Sequence, residues 1–546
     1  MTGADVVVEI LKREGLEYAF CFPFTPVQES MAHGGIRVIT ARQERVAGNM
    51  ADGVSRSTNG EKIGTFTVQS SAGAENAFSP VAHSYTDSTP MLFLPGHPGT
   101  DRIGISPAFD SMKNYSHTVK YAARPVSSSQ IPGIMRRAFA ALRSGRPGPV
   151  MVELPGDVCA QEFSEQLDYR PVSKVKSGPD YGAVEEAAER ILSAKNPFIW
   201  AGQGIHYAQA WSELRDVAEL LGIPVMTTLQ GKSCFPEVHP LSAGTGAYMV
   251  TAMVDDLLGN SDAVLAVGTS LTVAAFTPSI PAGKTIVHAT NDVTDLNKNY
   301  PTAVSVAADA KLFLMALRQE LRRRVGDGRL DVFQRNERSI KKTKDKWLSE
   351  YSSLFSDDSA PINGYRMFRE LWLAAAGENA MFIHESGGSR DIQSVFYEAV
   401  NPRDYLGWGQ SSQLGFSIGL AMGAKIANPE RIVINVMGDA SVGMTGLDWD
   451  TSVRENIPIM TVIKHDSIFS GYERHIPESV ARFKSSSMTG DYASIAKSLG
   501  CYSETVESPA QLQDAFKRGI MAVKDGQTAV IDVLTAETRK LSRSRI

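Results

Sequence analysis

The regular alternation of short apolar segments with segments of helical periodicity constrains the fold of this chain more than any other feature of its sequence. Each apolar segment spans four to six residues, a length that is typical of buried strands and too short for a buried helix. Helical periodicity fills many of the gaps, as at 183–193 and 208–221. Strands that are joined through helices pair in parallel, so the sequence predicts an α/β protein with parallel sheets. The predicted strands lie at 36–40, 63–68, 91–94, 150–154, 197–200, 263–267, 285–288, 381–384, 433–436, 460–463 and 530–533.

Two polar stretches divide the chain into three units. At about 150 residues per domain, a chain of 546 residues has room for three or four domains. The first stretch, 164–180, contains two prolines, and the second, 341–361, is charged and then rich in serine and aspartate. Such compositions are typical of linkers. We therefore expect domains at 1–165, 181–335 and 362–546.

Charge and hydropathy argue against two classes of function. With 55 basic and 60 acidic residues the net charge is −5, and no basic run supplies the surface that nucleic-acid binding needs. No stretch of about 18 uncharged apolar residues occurs, so we expect no membrane-spanning helix. The N-terminal segment has the pattern of an amphipathic helix and not of a signal peptide. Four widely spaced cysteines match no zinc motif, and we expect reduced thiols in a cytoplasmic protein.

The segment 431–470 carries the strongest local signal for chemistry. An apolar strand runs into the Gly-Asp-Ala-Ser sequence 438–441, and a second strand ends shortly before Asp466. Because the carboxyl ends of parallel strands meet at one edge of a sheet, Asp439 and Asp466 are expected to face one crevice. Their oxygens suit Mg²⁺, and Gly438 lets backbone N–H groups approach a diphosphate. A Gly-Asp turn also occurs as a purely structural feature, so the motif alone leaves both interpretations open.

The same segment resembles the signature of the thiamine-diphosphate-dependent enzymes of the acetolactate synthase, benzoylformate decarboxylase and benzaldehyde lyase group. That signature is Gly-Asp-Gly or Gly-Asp-Ala followed, about 25–30 residues later, by Asn-Asn; here His465-Asp466 stands in the second place. The resemblance implies that Asp439, Asp466 and the carbonyl group of Ile468 bind Mg²⁺. Aspartate in place of asparagine keeps an oxygen ligand and adds a negative charge, which should hold the metal more tightly and repel the diphosphate more strongly. The neighbouring residues that the resemblance places against the cofactor are Gly438, Ala440 and Ser441.

The resemblance extends over nearly the whole chain. The sequence ARQERVAGNMADGVSR at 41–56 is similar to a family helix whose glutamate falls on Glu44. In the family, that glutamate hydrogen-bonds N1′ of the aminopyrimidine ring from the neighbouring subunit, which requires a carboxylate in a dry pocket. The sequence VQSSAGAEN at 68–76 is similar to a family turn that ends in Asn76. Further cofactor contacts that the resemblance implies are Gly388 and Ser389 at the diphosphate turn, the carbonyl group of Ser412, and Leu414 as the apolar prop under the cofactor.

The family resemblance also implies the architecture and the assembly. It implies three doubly wound parallel-sheet domains. These are a pyrimidine-binding domain at 1–165, a non-catalytic central domain at 181–335 and a diphosphate-binding domain at 362–546. Because each cofactor bridges two subunits, the resemblance implies a homodimer or homotetramer.

The substrate pocket is where members of the group differ. The loop that follows the first helix of such proteins contains Phe24 and Thr25 here, so this pocket wall is expected to be bulky and apolar. Gln69 falls where benzoylformate decarboxylase has a histidine, and it is either a catalytic pocket residue or a buried structural amide. Tyr472 and Glu473 follow the metal motif; Glu473 is a candidate proton relay or a partner in a surface ion pair.

Several functions fit these observations. The leading hypothesis is decarboxylation and carboligation of 2-oxo acids, as in acetolactate synthase. Simple 2-oxo acid decarboxylation and acyl-CoA lyase or decarboxylase chemistry are the alternatives within the family. A non-catalytic, cofactor-binding regulatory paralogue is the alternative of another class, and Glu44 argues against it because such a protein has no need for that carboxylate. FAD in the central domain is possible and not favoured, because the region 287–295 lacks the usual acidic pattern.

Overall fold

The chain folds into three parallel β-sheets, each flanked by helices, which confirms the predicted α/β class. The computed structural model describes residues 1–326 and 328–543. All the pairings between the strands of these sheets are parallel. In the described part of the chain, no helix combines the length and the apolar character needed to cross a membrane.

The first and third sheets have the same topology. The first has the order β2-β1-β3-β4-β6-β5, with β7 paired to β4, and the third has the order β15-β14-β16-β17-β19-β18. The strands of the first sheet are β1 (Tyr18–Cys21), β2 (Arg37–Thr40), β3 (Gly64–Val68), β4 (Met91–His97), β5 (Tyr121–Ala123), β6 (Pro149–Val152) and β7 (Leu154–Pro155). The third sheet contains β14 (Ala380–His384), β15 (Tyr405–Leu406), β16 (Ile432–Gly438), β17 (Met460–His465), β18 (Tyr502–Val506) and β19 (Ala529–Leu534). In both sheets the chain runs one way from the first strand and then reverses, which creates a switch point beside that strand.

The central sheet has the order β10-β9-β8-β11-β12-β13. Its strands are β8 (Pro197–Ala201), β9 (Val225–Thr228), β10 (Ser242–Gly246), β11 (Ala263–Val267), β12 (Thr285–Thr290) and β13 (Val304–Ala307). This sheet also reverses direction beside its first strand, so all three domains are doubly wound.

Helices connect the strands throughout. Those of the first domain are α1 (Gly3–Arg13), α2 (Gln28–His33), α3 (Glu44–Ser57), α4 (Ala72–Asn76), α5 (Phe78–Asp87), α6 (Ser111–Tyr115), α7 (Ile131–Arg143) and α8 (Gly156–Ala160). The central domain has α9 (Tyr181–Ser193), α10 (Gly204–Ala208), α11 (Trp211–Leu221), α12 (Ala252–Asn260), α13 (Ala310–Val325), α14 (Leu330–Ser349) and α15 (Ser352–Phe355). The third domain has α16 (Gly364–Ala374), α17 (Gly388–Phe396), α18 (Ser417–Ala427), α19 (Asp439–Thr445), α20 (Trp449–Arg454), α21 (Pro477–Phe483), α22 (Tyr492–Ser498) and α23 (Leu512–Lys524).

All the strands predicted from apolar segments are present, with ends that differ by at most three residues. The interpretation of 341–361 as a linker is wrong over its first half, because α14 continues to Ser349. That helix buries Ile340 and Trp347 and leaves most of its other side chains at least partly exposed, so its charged composition resembles that of a linker. The domain limits themselves remain a prediction.

The first and third domains dock through α3 and α18, the helices that follow the second strand of each sheet. Gly53 lies against the carbonyl oxygen of Leu420, where a β-carbon would fall 2.3 Å away. At the start of α3, the amide of Arg42 donates to Asp448 Oδ1 (2.8 Å) and Gln43 Nε2 donates to the carbonyl oxygen of Met444 (3.1 Å). This docking fixes the start of α3 beside the segment that follows the Gly-Asp motif.

Candidate active site

Asp439 lies at the switch point of the third sheet, where β16 leads into α19. Its Oδ1 accepts from its neighbour's amide, Ala440 N (2.9 Å), and its Oδ2 accepts from Ser467 N (2.8 Å), which ties the ends of β16 and β17 together. The carboxylate is buried. Burial raises its pKa above the usual value, and the nearby negative charge of Asp466 raises it further. The two acidic residues therefore lie close enough for their charges to interact, and their shared role as metal ligands stays a prediction.

Asp466 follows β17, and its side chain is only 4% exposed. Its Oδ2 accepts a hydrogen bond from Lys464 Nζ at 2.5 Å, and the hydroxyl of Ser470 also donates to it. Lys464 is the buried charged residue of this segment to which the sequence analysis assigned no role. The available signal was a lysine at the end of an otherwise apolar strand, immediately before the metal motif.

His465, the last residue of β17, contacts Asp532 of the adjacent strand β19, and its Nε2 lies 4.0 Å from Asp439 Oδ2. Its Nδ1 lies 3.0 Å from Asp532 Oδ1 on β19, and its Nε2 lies 3.1 Å from the hydroxyl of Ser467. The hydrogen bond with Asp532 raises the pKa of the imidazole. The histidine thus fixes the loop that presents Ser467 to Asp439.

The donor set at this edge fits Mg²⁺. Asp439 and Asp466 supply carboxylate oxygens, and the chain continues to the half-buried Ile468, whose backbone pairs with that of Ser487. At Gly438 a β-carbon would meet nothing within 4 Å, so there is open space beside the motif. Within residues 1–326 and 328–543, no three His, Cys, Asp or Glu side chains cluster as a metal site. A site of two carboxylates, a backbone carbonyl group and oxygens from a ligand suits a hard octahedral cation.

The turn predicted to hold the diphosphate follows β14, on the other side of the same switch point. Gly387 has φ +71°, a conformation that favours glycine, and it directly precedes α17. Ser389 is buried and donates to the carbonyl oxygen of Ser386 (3.1 Å). The hydroxyl groups of Ser386 and Ser412 lie 2.9 Å apart, which brings the predicted Ser412 to this turn. The N-terminus of α17, beginning at Gly388, thereby faces the loop that carries Ser412.

The loop 409–415 is held between the first and third domains. Asp87 of α5 accepts from the amides of Gly409 and Gln410, at 2.9 Å each. At the other end, Thr445 of α19 donates to the carbonyl oxygen of Gly415 (2.8 Å). Leu414 is half-buried within this loop. Neither anchor was predicted from the sequence: the contacts of Asp87 depend on how the first and third domains dock, and the bond from Thr445 depends on packing between segments of the third domain that are 30 residues apart.

Glu44 occupies the first turn of α3, and its side chain is buried. Asn76 Nδ2 donates to Glu44 Oε2 at 3.3 Å, so the structure brings these two predicted residues together. Gln69 is half-buried just after β3, and its side chain packs over Gly73, where a β-carbon would fall 2.7 Å from Gln69 Cγ. The three predicted side chains therefore lie around the start of α3 and the end of β3.

The residues predicted for the substrate pocket lie on two domains. Phe24, 78% exposed, and Thr25, buried with its hydroxyl unpartnered, follow β1 at the switch point of the first sheet. Tyr472, 53% exposed, and the exposed Glu473 form a 3₁₀ turn after the metal segment. This turn is anchored by the amide of Gly471, which donates to Glu537 Oε1 (3.2 Å).

A cleft lies between the first and central domains, and Gly409 and Gln410 of the third domain also line it. Gly204 and Gly268, close to the central switch point, line this cleft, as do Lys174 and Arg146. Arg146 is paired with Asp295 at 3.0 Å. The region 287–295, which the sequence analysis considers for FAD, contributes Thr290, Asn291 and Asp295 to this cleft.

Comparison with known proteins assigns each of the three domains. Residues 1–121 match the thiamine pyrophosphate enzyme N-terminal TPP binding domain, residues 184–317 the central domain, and residues 386–533 the C-terminal TPP binding domain of the same family. The chain belongs to the thiamine pyrophosphate enzymes.

Curated relatives match along the full length of the chain. It is 29% identical to a probable acetolactate synthase large subunit of Methanococcus aeolicus, over 95% of this chain and 90% of that protein. It is 26% identical to the acetolactate synthase isozyme 3 large subunit of Escherichia coli, over 98% of this chain and 94% of that protein. It is 27% identical to the acetolactate synthase large subunit of Haemophilus influenzae, over 94% and 92% of the two chains.

Proposed function

We propose that the protein catalyses decarboxylation and carboligation of 2-oxo acids in the manner of an acetolactate synthase, with thiamine diphosphate and Mg²⁺. The observation that carries the proposal is the buried carboxylate of Glu44, which accepts from Asn76 at 3.3 Å. A dry carboxylate is needed to share a proton with a weakly basic ring nitrogen. A non-catalytic paralogue has no use for it. The relatives' names support 2-oxo acids as the substrate class.

The residues of the third domain would hold the cofactor. Bound thiamine diphosphate supplies an electron sink for decarboxylation of the substrate. Asp439 and Asp466, with the carbonyl group of Ile468, would ligate Mg²⁺. The first amides of α17, with Ser389 beside them, would donate to the diphosphate. The backbone of Ser412 would accept from the cofactor's amino group.

Residues from both domains would surround the reacting atoms. Leu414 would support the cofactor from below, and Gln69 would hold a polar group of the substrate. Phe24 and Thr25 would form one wall of the substrate pocket. On the opposite side, the turn containing Tyr472 and Glu473 would close over the substrate, with Glu473 positioned to move a proton.

We propose a homodimer or homotetramer that works in the cytoplasm. The family resemblance supports this assembly, since it implies that Glu44 of one subunit would contact the cofactor held by the third domain of a neighbouring subunit. All four cysteines are free and buried, which fits a reducing compartment. FAD, ADP or coenzyme A would occupy the cleft between the first and central domains, and FAD remains the less favoured occupant.

The test is a product analysis with pyruvate, thiamine diphosphate and Mg²⁺. Acetolactate is the expected product of the wild-type protein, and acetaldehyde as the sole product would instead indicate a simple decarboxylase. Glu44→Gln removes the proton-sharing carboxylate with little change in shape, so we expect turnover to fall by at least about 10²-fold. Thiamine diphosphate binding, measured by calorimetry, should change far less.

A matched variant isolates this effect. Glu29→Gln makes the same substitution at an exposed position of α2, and its turnover should equal that of the wild-type protein. Unchanged turnover in Glu44→Gln would contradict the role of Glu44. Absence of thiamine diphosphate binding by the wild-type protein would contradict the proposed function as a whole.

A further inference from the structure

The metal segment contains a buried cation that the proposed chemistry does not use. Lys464 and Asp466 have side-chain exposures of only 5% and 4%, and they form an ion pair at 2.5 Å. A lysine ammonium is rarely buried without a specific reason, because removing it from water is costly. This pair lies at the carboxyl end of β17, where Gly438 is in register with Lys464.

The side chain of Lys464 places its ammonium between the glycine turn before α17 and the carboxylate of Asp466. A β-carbon at Gly388 would lie 3.5 Å from Lys464 Cε, and one at Gly364 would lie 3.4 Å from it. The side chain therefore runs alongside the start of α17 and ends at Asp466. Its ammonium is thus between the glycine turn and the metal carboxylate, the two elements that the diphosphate would contact.

The fixed charges of the site show what the ammonium can do. Asp439 and Asp466 contribute −2, and a bound Mg²⁺ only cancels them. An added +1 from Lys464 leaves the group of Asp439, Asp466 and Mg²⁺ positive toward a diphosphate, whose oxygens accept strongly from an ammonium. Before the metal arrives, the same ammonium occupies an oxygen of Asp466 and competes with Mg²⁺ for it.

We propose that Lys464 is a diphosphate ligand of this chain, held by Asp466 in the free protein and transferred to a diphosphate oxygen when Mg²⁺ takes Asp466. The proposal rests on the proposed function, since it assumes that thiamine diphosphate binds here. It predicts opposite effects of one substitution on two ligands. Lys464→Met should strengthen binding of Mg²⁺ alone, and it should weaken binding of thiamine diphosphate at saturating Mg²⁺ by about ten- to a hundredfold.

Calorimetric titration of the full chain tests both effects. Lys497→Met is the matched control, because it removes a lysine charge at an exposed position of α22 in the same domain; it should bind both ligands as the wild-type protein does. Lys464→Arg keeps the charge and should retain most of the cofactor affinity. A merely structural lysine would weaken both ligands together, so equal losses would overturn the proposal even if Lys464→Met folds poorly.

The same titrations in the Asp466→Asn background separate a direct contact from simple charge compensation. If Lys464 contacts the diphosphate, Lys464→Met should still weaken thiamine diphosphate binding there, while its effect on Mg²⁺ alone should disappear. Loss of both effects would mean that Lys464 only neutralises Asp466, and it would overturn the proposal. If the wild-type protein binds thiamine diphosphate and Lys464→Met binds it equally well, only this inference fails. If the wild-type protein does not bind it, the proposed function fails as well.

Discussion

Gly423 of α18 lies directly against the carbonyl oxygen of Met50 in α3, so closely that a β-carbon at residue 423 would fall 2.0 Å from that oxygen. Gly419, one turn earlier, faces Asn49 and Val46 of the same helix in the same way. The neighbouring atoms include backbone, which cannot move aside as a flexible side chain can. The close approach of the two helices, and with it the docking of the first domain on the third, therefore requires glycine at these positions.

Gly423→Ala should destabilise the protein. The added methyl group forces α3 and α18 apart, and overpacking of this kind costs about 2–3 kcal/mol. Chemical denaturation monitored by circular dichroism measures the loss. Gly133→Ala is the matched control, since its β-carbon would meet only Arg137 Nη1 at 3.6 Å within helix α7. That variant should be about 0.5–1 kcal/mol more stable, and an equal loss in both variants would contradict the argument.

The carboxylate of Asp87 links the first domain, to which it belongs, to the loop 409–415 of the third domain. It is fully buried, it accepts from Arg56 Nη1 (3.2 Å) and pairs with His83 Nε2 (3.0 Å), and it holds the amides of Gly409 and Gln410. Burial works against its ionisation, but His83, Arg56 and these hydrogen bonds outweigh burial and hold its pKa well below the usual range. Asp87→Asn should cost about 3–5 kcal/mol, because it leaves a buried guanidinium without one of its counter-charges.

Two measurements check the role of Asp87. The first is the free energy of unfolding, compared with Asp345→Asn, which disrupts an exposed pair with Lys341 and should cost less than about 1 kcal/mol. The second is hydrogen exchange, which should speed up at Gly409 and Gln410 in Asp87→Asn. Unchanged protection of those two amides would show that Asp87 does not hold the loop.

The sequence predicts the interior of each sheet better than its edges and its contacts. Central strands are buried on both faces and therefore contain short, continuous apolar runs. Strand β13 alternates between buried and exposed side chains, and β10 consists of small residues, so neither produces such a run. The candidate site shows the same contrast between local and distant signals. A local motif reveals Asp439, whereas the role proposed for Lys464 depends on packing against residues far away in the chain.

Glu385 should make the protein less stable as the pH rises. It lies between β14 and the diphosphate turn, fully buried, and accepts from the amides of Ser386 and Ser417 at 3.1 Å each. Burial raises its pKa to about 7, and the hydrogen bonds offset only part of that effect. In the unfolded chain the same group ionises near its ordinary value, about 4.3. Between these values the folded state binds the extra proton, so the contribution of Glu385 to stability is present below about pH 4.3 and is lost as the pH rises through 7.

The full size of the effect follows from the difference between the two pKa values, which corresponds to about 4 kcal/mol in the free energy of unfolding. Glu385→Gln cannot ionise, so its stability relative to the wild-type protein should increase by about 2.5 kcal/mol between pH 5 and pH 8, the part of the effect that falls in this pH interval. Asp448, whose pKa burial raises to about 6, titrates in both proteins and cancels from the comparison. Urea denaturation of both proteins at the two pH values measures the difference. Parallel pH profiles would mean that Glu385 is already ionised in the folded protein at pH 5, and that its two amide donors outweigh its burial.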